Sequence, residues 1–176
     1  MKTPLRKADY TLTVKRPKHI IIHHTIEICP DVPLDNATFQ TGRFQSLSYV
    51  FTKLNVKGYH FVIEKAGDEY FPIVSQPLFT QCKWDDIDES YWNDISVGIL
   101  ANYDFDFPED RFYSVLAFRV LVPLCRWFNM TYSDILLHKE ISSNKELTCP
   151  GEMFIKEKMI KAFRTHWRKG PTINRK

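Results

Sequence analysis

A chain of 176 residues with 44% apolar and 26% charged residues has enough material for one domain with its own core, and needs no disulfide or metal staple to fold. Its formal net charge of +3 is too slight to point to nucleic acid, though it would not repel an anionic polymer. No stretch approaches the roughly 18–20 apolar residues that span a bilayer. The basic N-terminus lacks the apolar run of an export signal, so the expectation is a soluble chain made in the cytoplasm. Nothing demands more than a monomer.

Residues 1–17 and 169–176 read as a loose N-terminal extension and a C-terminal tail around a domain over 18–168. Inside it, strand and helix signals alternate, which predicts a mixed α/β domain. HIIIH at 19–23 is a short β-branched run expected to form a buried central strand. A Pro- and Asp-rich loop follows. Phe44, Leu47, Val50, Phe51 and Leu54 then recur at helical spacing. YHFVIEK and EYFPIV, joined by AGD, predict a hairpin, the glycine supplying positive φ. The acidic run DDIDE at 85–89 reads as a solvated loop, and SVGILAN at 96–102 as a second buried strand.

Residues 109–129 are the longest helix candidate. Pro123 sits inside it and should kink it or mark an uneven turn. DILLHKE reads as a short strand running into a loop, and a last helix is expected directly after CPGE, carrying Met153, Ile155, Met159, Ile160, Phe163 and Trp167. The four cysteines, Cys29, Cys82, Cys125 and Cys149, form no CxxC pair. Cys125 reads as a small buried hydrophobe; one bridge among the other three stays open.

His23 ends one predicted strand, His138 another, and Cys149 lies in the loop before the last helix. Two imidazoles and a thiolate are a zinc donor set that leaves a fourth position for water. Zinc would lower the pKa of that water from about 15.7 to about 7 and polarise a carbonyl, chemistry suited to an unactivated amide. On spacing alone, however, a core or surface residue is the default reading of each histidine. His24 should face away from His23, because strand side chains alternate.

The words IIIHHT, GYHFVIEKAGDEY, NDISVGIL and LHKEISSNKELTCPGEMF occur in that order. Together they closely resemble the type 2 N-acetylmuramoyl-L-alanine amidases, a family that includes bacteriophage lysozymes and animal peptidoglycan recognition proteins. The resemblance runs from about residue 18 to 165. It implies a central mixed β-sheet flanked by helices, with zinc in a surface groove held by His23, His138 and Cys149. It further implies a peptidoglycan or muropeptide substrate, a catalytic role for Tyr59 of GYHF, and Asn93 near the substrate. Trp84, with other aromatics between 80 and 107, is expected to line a saccharide–peptide groove.

Three positions depart from the family pattern. Where relatives carry a lysine or threonine two residues before the last ligand, this chain has Leu147, and Lys145 is the residue expected to take over oxyanion stabilisation. Gln81 stands where phage enzymes have a groove histidine. Leu100 stands where some relatives have a glutamate base. These departures keep a second function open: a peptidoglycan-binding module of the same fold that does not cut. A cysteine peptidase using Cys149 and His138 would leave His23 without a role.

Overall fold

The computed structural model describes residues 15–24, 59–66, 69–82, 84, 86–99 and 108–169. The helix expected around 44–54 lies outside them, as do Cys29, Leu100 and the Gly67–Asp68 turn. Five strands form one mixed sheet: β1 (Ile20–His24), β2 (Phe61–Ala66), β3 (Glu69–Val74), β4 (Ile95–Ile99) and β5 (Ile135–Leu137), in the order β3-β2-β4-β1-β5. β1 lies parallel to both β4 and β5, and β2 lies parallel to β4. Only β3 runs antiparallel, pairing with β2 as the expected hairpin. Every residue of β1 and of β4 is buried. That explains why both read as unbroken apolar runs rather than as alternating patterns.

Alternation along these strands sorts residues onto two faces. Ile20, Ile22, Ile63, Ile95, Val97, Ile99, Ile135 and Leu137 join the main core. Ile21, His23, Ser96 and Gly98 point to the other face. The core is closed by a long helix built from α1 (Asp110–Leu116), a π-helical turn (Ala117–Leu121) and α2 (Val122–Phe128), together with α4 (Lys156–Lys169). Phe112, Leu116, Val120, Leu121, Leu124 and Phe128 supply the long helix's inner stripe, against Phe154, Met159 and Phe163.

The uneven turn expected at Pro123 is found as this π segment. The Val122 N–H reaches back to Ala117 O, a wide turn just ahead of a residue that has no N–H to give. Asn129 ends the helix at φ 56°, ψ 44°, the left-handed cap that asparagine tolerates better than most residues.

Two element boundaries differ from expectation. His138 begins a short helix, α3 (His138–Ile141), rather than a loop, because Glu140 folds back to accept from Leu137 N at 2.8 Å, a capping interaction at the helix start. The last helix begins at Lys156 instead of after CPGE. Gly151, at φ 113°, and the bond from Phe154 N to Gly151 O make a turn that holds Met153 and Ile155 outside the helix. Among the described residues no helix is long and apolar enough to cross a membrane. Among the described residues Cys82, Cys125 and Cys149 form no disulfide.

Candidate metal centre

The C-terminal end of β1, the start of α3 and the loop before α4 meet at one place. There one donor atom each from His23, His138 and Cys149 lies within 4.8 Å of the others, and all three residues are buried. Donors around a tetrahedral zinc stand roughly 3.5 Å apart, so small side-chain adjustments bring these onto one ion. His23 is 1% exposed and its Nε2 is buried without a hydrogen-bond partner. A buried lone pair of that kind is costly unless something accepts it, and a metal ion would.

The electrostatics point the same way. His23 is held well below the ordinary imidazole pKa, first by burial and then by the neighbouring His138 and His24. His138 is lowered by burial, partly offset by Asp86. Both rings therefore stay neutral near pH 7 and keep lone pairs to donate. Cys149 Sγ accepts from His24 N at 3.3 Å, and Cys149 O accepts from Lys139 N at 2.9 Å. The last donor is thereby tied to β1 and to α3. The donor set of two imidazoles and one thiolate suits zinc.

The residues expected to serve this site are placed unequally. Tyr59 is 1% exposed. Its ring packs edge-on against His23 at 5.6 Å between centroids, and its hydroxyl donates to His24 O at 3.4 Å. Gly98, paired with His23 across the sheet, makes room for that ring: a Cβ at Gly98 would lie 2.8 Å from Tyr59 Cγ. Trp84 stacks on His23 with centroids 4.6 Å apart and planes 27° apart. One face of the indole thus lies against His23.

Asn93 and Lys145 are not brought to the cluster. Asn93 sits in the turn leading into β4, at the strand end opposite the one beside His23. Lys145 is exposed in the turn between α3 and Cys149, and among the described contacts none joins it to the donors. His24 faces the helix layer, as strand alternation requires, and serves the site through its backbone.

One neighbour of the site escaped the sequence reading. Asp86, in the acidic run read as a solvated loop, has Oδ2 at 2.9 Å from His138 Nε2, a charge contact rather than an aligned hydrogen bond. Composition favoured solvent for that run, and only the fold brings residue 86 beside residue 138. The Ile87–Ser142 bridge carries the contact, and no local pattern announces it.

A search of curated proteins gives no match. Among solved structures, the chain is similar to the N-acetylmuramoyl-L-alanine amidase LysC from Clostridium intestinale URNW, with 17% identity, 89% of this chain and 94% of that one covered, and a TM-score of 0.60. It is also similar to the Ph2119 endolysin from the Thermus scotoductus MAT2119 bacteriophage Ph2119, with 17% identity, 90% and 92% covered, and a TM-score of 0.58. Drosophila peptidoglycan recognition protein SD is matched at 15% identity, 82% and 80% covered, and a TM-score of 0.52. At such identities these likenesses establish the shared fold. The family model for N-acetylmuramoyl-L-alanine amidase matches residues 13–152, most of the chain. With the fold and the converging donors in agreement, the chain belongs to the N-acetylmuramoyl-L-alanine amidase family.

Proposed function

We propose that this chain is a zinc-dependent amidase that hydrolyses the bond between N-acetylmuramic acid and L-alanine in bacterial peptidoglycan. The observation that carries the reading is the buried convergence of His23, His138 and Cys149 in a chain whose family is named for that activity. A zinc ion held there supplies Lewis-acid polarisation of the scissile carbonyl and a water that ionises near neutral pH.

The protein's own residues do the rest. His23 and His138, kept neutral by burial, donate lone pairs. The His24 N–H steadies the Cys149 sulfur. Tyr59, beside His23, turns its hydroxyl from His24 O toward the carbonyl oxygen as that oxygen gains negative charge. Water's oxygen ends on the lactyl carboxyl group of the sugar, and the alanine nitrogen leaves as an amine with the proton that water gave up.

Release of free L-alanine amino termini from purified sacculi tests this. The metal-loaded protein should release them, a chelator should stop release, and added zinc should restore it. Release that survives both a chelator and His23→Ala would overturn the metal reading. A second reading, a module that binds peptidoglycan without cutting it, is favoured by Leu147 and by the exposure of Lys145, since neither supplies the amine expected to stabilise the oxyanion. Sacculus binding without any release of amino termini would select it.

A further inference from the structure

Asp86 is fixed from both sides. Its Oδ2 accepts from Ser142 Oγ at 2.8 Å, and its carbonyl accepts from Ser143 N at 3.2 Å. Ile87 bridges to Ser142. Ser142 caps the end of α3, the helix that His138 begins, so the carboxylate is held by the element that carries the imidazole it touches. The pair is shielded: the His138 side chain is 6% exposed and that of Asp86 32%. Asp86 is nevertheless absent from the group of donors that converge within 4.8 Å. It stands behind a ligand rather than among the ligands.

We propose that Asp86 is a positioning residue of the metal centre: its carboxylate, set by Ser142, holds the His138 ring at Nε2 and leaves Nδ1 for the ion. The inference rests on the metal reading above. A carboxylate on the far nitrogen of a ligating imidazole fixes the tautomer, aims the ring and makes it a stronger donor. Loss of such a partner commonly weakens metal binding by about 10–100-fold. Two residues earlier Trp84 stacks on His23, so one stretch of chain steadies both imidazole ligands, Trp84 by packing and Asp86 by charge.

Cobalt(II) is a suitable probe, because its absorption reports both thiolate ligation and coordination geometry. Metal-free wild type, Asp86→Asn, Asp86→Ala and Asp86→Glu are titrated with Co2+ against a competing chelator. The expected result is an affinity about 10–100-fold lower in the Asn and Ala variants, partly recovered in Glu. The thiolate-to-cobalt band and the visible bands should keep their positions.

A second readout does not depend on the ion. Ring 15N shifts of His138 in the metal-free protein should report a proton on Nε2 in wild type and a mixture of tautomers in Asp86→Ala. Should Asp86→Ala fail to fold, the near-isosteric Asp86→Asn carries the affinity comparison. Unchanged Co2+ affinity in the variants overturns the proposal and leaves the metal reading standing. Altered visible bands in Asp86→Asn also overturn it, by making the carboxylate a ligand. If wild type binds no Co2+, the metal reading falls, while the 15N shifts still decide whether Asp86 governs the ring.

Discussion

Gly98 is where backbone geometry and the site meet. A Cβ there would lie 2.8 Å from Tyr59 Cγ and 2.9 Å from both Cδ atoms, and a buried ring in a packed interior has little room to yield. Gly98→Ala should therefore displace Tyr59 from His23 and cost about 1–3 kcal/mol. Urea denaturation of the metal-free protein measures the cost, and amide hydrolysis should fall with it; an unchanged midpoint would show that the ring has another place to go. A second residue-scale prediction concerns acid. His60 is fully buried, accepts from Ser96 N and donates to Thr80 O, and its pKa is lowered by burial from 6.5 to about 4. His23 and His138 are lowered as well. The unfolded chain binds these protons first, so stability of the metal-free protein is full above about pH 6.5 and should fall as pH drops toward 4. For His60 alone the shift corresponds to roughly 3 kcal/mol. Thermal midpoints across that range check the trend, and His60→Gln should flatten it. At this scale the donors were legible because each sits inside a recognisable word. Asp86 was not, since its partner is set by tertiary approach and its neighbours in sequence are simply acidic.

Elements were legible where one face governs their composition. β1 and β4 announced themselves as buried runs, and the long helix by its apolar stripe over Phe112–Phe128. Pro123 signalled an irregular turn, and the π segment before it is the form that turn takes. The start of α3 was harder, because β5 spans only Ile135–Leu137 and the switch from strand to helix depends on one side chain, Glu140, returning to Leu137 N. Glu140 also pairs with Lys156 at the start of α4. Replacing it by alanine should cost about 1 kcal/mol and, by loosening the first turn of α3, lower metal affinity as well; denaturation and Co2+ titration of Glu140→Ala measure the two effects separately. At the other end of the helical layer, Asn129 occupies a left-handed cap. Asn129→Gly should hold or gain stability, whereas Asn129→Ala should lose about 1 kcal/mol, the steric cost of a Cβ at positive φ. Equal midpoints for the two variants would show that the cap relaxes.

Taken as a whole, the sheet places three donors that lie far apart in sequence, and the mixed parallel order is what makes this possible. β1, expected as a central strand, is fourth of five, between β4 and the edge strand β5, so its C-terminal end stands beside the exit of β5, where His138 follows directly. Cys149 returns to the same point through its bond from His24 N. The alternation of strand and helix words predicted a mixed α/β domain, the family resemblance implied a central mixed sheet flanked by helices, and the structure has that sheet. The return of the 142–149 segment was not readable, because it depends on turns and side-chain bonds with no periodicity. An ion bound to these donors would join β1, α3 and the segment before α4, and it could bind only when all three are in place. Binding restricted to the native state stabilises it by about 2.7 kcal/mol at a free concentration 100 times Kd. For a domain of this size, each kcal/mol moves the thermal midpoint by about 2–4 °C, so zinc should raise the midpoint by roughly 5–10 °C and a chelator should return it to the metal-free value. His23→Ala and Cys149→Ala should each abolish the rise, whereas Lys145→Ala, exposed and away from the donors, should keep it in full. An equal rise in the His23 and Cys149 variants would show that zinc binds elsewhere on the chain.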